Sequence, residues 1–291
     1  MSESGRSERT APSGYRLISI QQSKYTMTGK SITTIIFDVD DTLYDRSLGF
    51  TEYRNTTLVA EYMMKYLNFK DPEEALALRS EYFKMYHSTS KALQVAEKDG
   101  RFPPPDPTKP VKNPRFDPKD LAEYWAENVK LELIERQDTL LNELQQSSLK
   151  LVAFSNGPRA YVKRVLEAMG LFEVFGEERL FTVEDTLPYC KPEKEAFEII
   201  LKKIGSDFSE CVMLEDSMKN IRACKELGMG TVLITGKGRM KSSQEDIAND
   251  VASGNHETPM AEDPAVDLAM ETAGQLRNLA PGLWKAPATF P

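Results

Sequence analysis

In the stretch ITTIIFDVDDTLYD, residues 32 to 45, Asp38, Asp40 and Asp41 follow directly on a β-branched apolar run. Carboxylates this close repel one another unless a cation compensates. Asp38 and Asp40 share a side-chain parity if the strand continues, so both would face one ligand. Hard carboxylate oxygens with no His or Cys beside them suit Mg²⁺ better than zinc. A solvated turn rich in Asp is the other reading of the same residues.

Three further stretches offer complementary chemistry. In FSNGPRA, residues 154 to 160, Ser155 and Asn156 precede a Gly-Pro step into a helix. Free backbone N–H groups there, helped by a hydroxyl, form an anion site, or Ser155 or Asn156 merely caps the helix. In CKPEKEAF, Lys191 precedes a proline and a helical pattern, as a phosphate ligand or a solvated surface lysine. In VMLEDSMKN, Glu215 and Asp216 end an apolar run, as a metal pair or as the start of a helix cap.

The elements that must position these groups alternate. TTIIF, LKLVAF (149 to 154), CVMLE (211 to 215) and GTVLI (230 to 234) read as strands. Helical patterns cover 160–169, 193–204 and 218–227, and Gly170, Gly205 and Gly228 stand where C-terminal caps fall. Strand, helix, strand with short loops predicts an α/β fold, a Rossmann-like three-layer parallel sheet with right-handed crossovers. Working residues in such sheets gather at the carboxyl ends of the strands, where all four acidic, hydroxyl and basic clusters lie.

From about Tyr44 to Gln146 the pattern is helical instead. TEYRNTTLVAEYMMKYL, PEEALALRSEYFKMYHSTSKALQVAEK and DPKDLAEYWAENVKLELI each read as one helix, with an irregular proline-rich loop at 101–116. The expected organisation is a flexible N-terminal arm at 1–30, a catalytic core at 31–45 and 147–291, and a helical cap at 46–146 inserted after the first strand. Residues 236–265 are expected to be a mobile loop, followed by a short edge strand or turn and a terminal helix. Tyr53, Arg54, Tyr124 and Trp125 have helical spacing and are assigned to the core rather than the site.

The bulk numbers set limits. The chain has 291 residues and a net charge of −8, which disfavours a broad nucleic-acid or anionic-membrane surface. No apolar run approaches the ~20 residues of a membrane span. The polar N-terminus, which contains acids, does not resemble a secretory or transit signal. Cys190, Cys211 and Cys224 have no paired spacing, which points to a reducing, cytoplasmic setting; Cys211 and Cys224 are expected in the core.

Taken together, Asp38-Val39-Asp40-Asp41-Thr42, Ser155, Lys191 and Glu215-Asp216 resemble the four motifs of the haloacid dehalogenase superfamily of phosphohydrolases, and the helical insertion resembles its C1-type cap. FSNGPRAYVKRVLEAMGL, KPEKEAFEIIL and LEDSMKNIRACKELGM are further similar to the pyrimidine 5′-nucleotidases of fungi and plants. The loop at 101–116 and the segment at 236–265 depart from that pattern.

The resemblance implies an aspartyl-phosphate mechanism. Asp38 would be the nucleophile and Asp40 the acid and base, a role for which a raised pKa is expected. Mg²⁺ would be held by Asp38, the main-chain carbonyl of Asp40, Asp216 and Glu215. Ser155, Asn156 and Lys191 would bind phosphate, Thr42 would support the acidic loop, and Arg159 would contact substrate. The implied partner is a small phosphorylated metabolite, a nucleoside monophosphate first, with a sugar phosphate, phosphoglycolate or lysophosphatidate as alternatives. A mutase, or an idle binding protein on the same fold, would keep the architecture. The idle protein would have lost Asp38, Asp40, Lys191 or Asp216, and all four are present.

Overall fold

The computed structural model describes residues 31–86, 88–108, 110–240, 258–285 and 287–290. The arm expected at 1–30 lies outside the described residues, as do residues 241–257 of the expected loop.

The four apolar runs form β1 (Thr34–Phe37), β2 (Lys150–Phe154), β4 (Cys211–Glu215) and β5 (Gly230–Ile234), joined by the short β3 (Leu180–Phe181) and β6 (Leu268–Met270). They make one six-stranded sheet in the order β3-β2-β1-β4-β5-β6, with every pairing parallel. The central strands are buried, as expected of a parallel sheet covered on both faces.

Alternation along each strand divides the core into two layers. Ile35 and Phe37 join the cluster that includes Val165 and Leu166 of the helix Arg159–Met169. Ile36, between them, joins Phe197 and Ile200 of the helix Lys194–Ile204. Successive side chains of a strand point to opposite faces, so the three-layer architecture follows from the apolar character of both parities. All three cysteines are buried and unpaired with one another, Cys211 and Cys224 in the second layer. Gly170 and Gly205 take the left-handed conformation, with φ of 74° and 63°, that ends these two helices.

Between β1 and β2 the chain is helical, as anticipated, but two of the expected helices are broken. The stretch expected as one helix over 117–134 is helical only over Pro118–Asn128, where Val129 turns extended before a short 3-10 turn at Leu131–Leu133. The run expected as a single helix over 72–98 is two, Pro72–Tyr86 and Thr89–Lys98. Ser88 is extended and its Oγ accepts from Lys91 N at 3.5 Å, so the Ser-Thr-Ser run starts a new helix instead of continuing the old one. The first helical run, Phe50–Tyr53 and Val59–Leu67, is bridged by a π-helical turn at Arg54–Leu58. The apolar cluster of the sheet continues into these helices through Tyr62, Met63, Leu93 and Leu121. Lys91 pairs with Glu193 at 2.8 Å, tying the insertion to the sheet side. Among the described residues no helix is long and apolar enough to cross a membrane.

Candidate active site

β1 ends inside the core, and the backbone N–H of Asp38 still bonds Leu214 O at 2.9 Å, so the sheet register extends to the first acid. Asp38 is 6% exposed, and its carboxylate accepts from Lys191 Nζ at 2.6 Å and from Thr42 Oγ1 at 3.2 Å. Lys191 is 1% exposed and donates also to Glu215 Oε2 at 2.8 Å. Four residues from two strand exits, those of β1 and β4, and the segment after β3 thus meet, since single carboxylate oxygens of Asp38, Glu215 and Asp216 lie within 4.8 Å of one another. An all-oxygen donor set at that separation fits a hard divalent cation.

Burial, reinforced by Glu215, pushes the Asp38 carboxyl up to about 8 against the pull of Lys191. Asp216 is raised well above the ordinary carboxylate range by burial and by Glu215. Burial works against the charge of Lys191, but Asp38 and Glu215 outweigh it and hold the ammonium protonated. This excess of buried negative charge is what a cation would relieve.

Asp40 has a different environment from the one its expected role suggested. Its Oδ1 accepts from the hydroxyls of Tyr44 and Tyr161, each at 2.6 Å, and its Oδ2 from Arg54 Nη1 at 2.6 Å. Burial alone would raise this carboxyl, but Arg54 and the two hydroxyls prevail and hold it below its ordinary value. The expected raised pKa is therefore corrected: three donors stabilise the anion. Arg54 is fixed in turn over the rings of Tyr161 and Trp125, at 4.6 and 5.2 Å.

The remaining predicted residues divide. Ser155 is buried, accepts from Gly157 N at 2.9 Å and lines the same cavity as Asp38. A Cβ on Gly157 would come within 3.0 Å of Val162 Cγ2 and 3.1 Å of Ser155 Oγ, a close approach that glycine leaves free. Asn156 also lines the cavity, but its amide is committed to the main chain of Lys191, accepting from Lys191 N at 2.9 Å and donating to Lys191 O at 2.8 Å. It positions the lysine, and the phosphate contact expected of it is not what its amide makes. Arg159 points elsewhere: it bonds Glu177, Leu180 O and Asp185 at 2.9, 2.9 and 2.6 Å and does not line the cavity. Its expected substrate contact is corrected to a structural tie between helix and β3. Asp45 caps the turn Arg46–Leu48 through Ser47 N and also accepts from Lys237 N, which gives it a structural role.

The cavity measures about 400 Å³. Its floor is the strand exits, and its roof is helical, with Thr51, Arg54, Asn55, Ser90 and Trp125 among the lining residues. Sequence reasoning left Arg54 and Trp125 in the core. Their burial, 7% and 3% exposed, agrees with that, but both also face the site. Tyr44 and Tyr161 gave no sequence signal beyond aromatic spacing.

The chain belongs to the haloacid dehalogenase-like hydrolases, whose family model matches residues 32–228. It is 30% identical over 233 residues to a glyceraldehyde 3-phosphate phosphatase of Methanocaldococcus jannaschii, covering 75% of this chain and 91% of that protein. It is 27% identical over 143 residues to a phosphoglycolate phosphatase of Pseudomonas syringae, spanning 49% of this chain and only 44% of that one. CbbY from Rhodobacter sphaeroides, solved in complex with phosphate, shares the fold with a TM-score of 0.56 at 19% identity, covering 84% of this chain and 96% of that one. A HAD phosphatase from Thermococcus onnurineus does so at 0.51 and 19%, covering 85% and 97%.

Proposed function

We propose that this chain is a Mg²⁺-dependent phosphomonoester hydrolase acting through an aspartyl-phosphate, with the helices between β1 and β2 as a C1-type cap. The observation that carries the reading is Lys191 bridging Asp38 and Glu215 beside Asp216 at the floor of the cavity. An Asp38 oxygen attacks phosphorus, the ester P–O bond breaks, and the departing alkoxide takes a proton from Asp40. Water then attacks the acyl phosphate, giving its proton to Asp40 and releasing inorganic phosphate. Lys191 and the hydroxyl of Ser155 hold phosphoryl oxygens through both steps.

Asp38, Glu215 and Asp216 would hold Mg²⁺, with the main-chain carbonyl of Asp40; bound there, the ion neutralises charge between nucleophile and phosphoryl dianion. Asp40 as it stands is the anion, ready for the second step. The first step requires it to gain a proton and part from Arg54, which ties the acid to movement in the helical roof.

The first substrate reading is a pyrimidine nucleoside 5′-monophosphate. A cavity of about 400 Å³ lined by Trp125 and Phe83 has the size and ring surface for a ribonucleotide. The second is a triose phosphate or phosphoglycolate, favoured by the 30% match over 91% of the glyceraldehyde 3-phosphate phosphatase. Phosphate release from UMP, CMP, AMP, glyceraldehyde 3-phosphate, phosphoglycolate, glucose phosphates and lysophosphatidate, with Mg²⁺ or EDTA and beside Asp38→Asn, tests both. Metal-dependent turnover of UMP and CMP, lost in Asp38→Asn, is expected. Turnover confined to the small esters moves the substrate and keeps the chemistry, and turnover that survives Asp38→Asn sinks the mechanism.

A further inference from the structure

Three hydroxyl residues in a row start the helix Thr89–Lys98 beside the cavity, and two of them have structural work. Ser88 Oγ accepts from Lys91 N, capping the helix. Thr89 Oγ1 accepts from the buried Arg79, Nε at 3.1 Å and Nη2 at 2.9 Å. Ser90, only 3% exposed and lining the cavity, has no hydrogen-bond partner among the described residues.

Asn55 lies in the π-helical turn of the roof, is 6% exposed, and lines the same cavity. Its Oδ1 accepts from Arg54 Nε at 3.3 Å. A guanidinium can only donate, so this contact fixes which end of the amide is oxygen. The end left over is Nδ2, an N–H donor with no partner among the described residues.

Neither polar atom is sealed in the core: both residues open onto the cavity, where a group without a protein partner is available to a molecule that enters. Two such groups, on separate helical segments, line one cavity opposite the strand exits. We infer that Asn55 and Ser90 are specificity-determining residues that hydrogen-bond an oxygen of the leaving alcohol. The favoured ester is then one whose alcohol carries a carbonyl, carboxylate or hydroxyl oxygen beyond the ester bond, and not a simple alkyl chain. Asn55 donates to that oxygen. Ser90, which can donate or accept, adapts to what lies beside it. The inference rests on the phosphomonoesterase reading and adds to it what the roof selects.

The test compares kcat/KM for the best ester of the panel with kcat/KM for propyl phosphate, whose alcohol has no further oxygen. In Asn55→Ala the ratio of the two should fall by about tenfold, and in Ser90→Ala by about threefold, as loss of a neutral hydrogen bond implies. The fall should sit mainly in KM for the polar ester. Ser90→Ala removes a hydroxyl bonded to nothing in the protein, so it keeps the test sharp if Asn55→Ala disturbs Arg54 and destabilises the fold. An unchanged ratio in both variants, or equal losses on both esters, overturns the inference while leaving the hydrolase reading intact. A wild-type protein that releases phosphate from no ester overturns the hydrolase reading and this inference with it.

Discussion

At the strand exits the charged groups are bonded to one another, whereas in the helical roof polar groups are left open. Asp38, Lys191 and Glu215 form one chain of contacts at 2.6 and 2.8 Å, and Asp40 is held by three donors at 2.6 Å. Asn55 Nδ2 and Ser90 Oγ, facing the same space, have no protein partner among the described residues. The difference follows from what each wall is made of. Parallel strands in register deliver their ends to fixed positions, so donors and acceptors can be matched in advance. The roof lines the open side of the cavity, and the polar groups it leaves without a protein partner are available to a molecule that enters.

The strongest way to break this contrast is to remove the buried cation that bridges the floor's carboxylates. Lys191→Ala should lower kcat about 10³-fold on every ester, and should cost the metal-free fold about 3 kcal/mol because buried carboxylates lose their counter-charge. Urea unfolding and steady-state kinetics read both. A loss of activity under about tenfold would mean that the floor is not organised around Lys191.

Arg54 reaches from roof to floor, so it sharpens the boundary. Arg54→Gln should lower kcat about 30-fold on all esters alike, acting through Asp40 rather than through selection. A loss restricted to one ester would move Arg54 to the selecting side.

The pH dependence separates the floor's excess charge from the rest. Asp38 has its carboxyl raised to about 8 and Asp41 to about 6, while Asp216 is raised well above its ordinary value. A raised acid binds more protons folded than unfolded, so its stabilisation is present below the unfolded pKa and is lost as pH rises toward the folded one. The melting temperature of metal-free protein should therefore fall between about pH 4 and pH 8. Saturating Mg²⁺ should flatten that fall by stabilising the ionised forms. Asp40, whose pKa is lowered, loses its contribution only as pH drops below the ordinary carboxylate value, outside this window. A flat metal-free profile would remove the argument for buried excess charge.

The smallest effect is expected of Arg159→Ala. It should change kcat by less than about twofold and lower stability by about 1 kcal/mol, since its ion pairs are partly exposed and lie away from the cavity.

How legible this was in the sequence follows the same division. β1, β2, β4 and β5 were readable because both parities of each run are apolar, as burial on two faces demands. Asp38, Ser155 and Glu215-Asp216 could be placed at strand exits because parallel sheets put them there, whereas Lys191 comes from the segment beyond β3 and the helix Val183–Thr186. β3, with two residues, is too short to give a periodic signal. The break at Ser88 was hidden because no glycine or proline marks it and the segments on both sides are helical. The clamp on Asp40 was not readable: Tyr44, Arg54 and Tyr161 are separated by up to 121 positions from the acid they hold, and only tertiary packing brings them to it. Arg159 misled because its place beside FSNGP puts it near the site in the chain, while Glu177 and Asp185 draw its side chain the other way.

The wide turn at Arg54–Leu58 makes helix length itself a part of this site. Such a turn accommodates one residue more than a regular helix would, and each residue of a regular helix rotates the chain by about 100°. Because the turn absorbs that residue, Phe50–Tyr53 and Val59–Leu67 keep one helical phase while the widened turn between them carries Arg54 to Asp40 and Asn55 to the cavity. Deletion of a single codon within it would restore an ordinary helix with both flanks left in phase, and would rearrange only the residues of the turn itself.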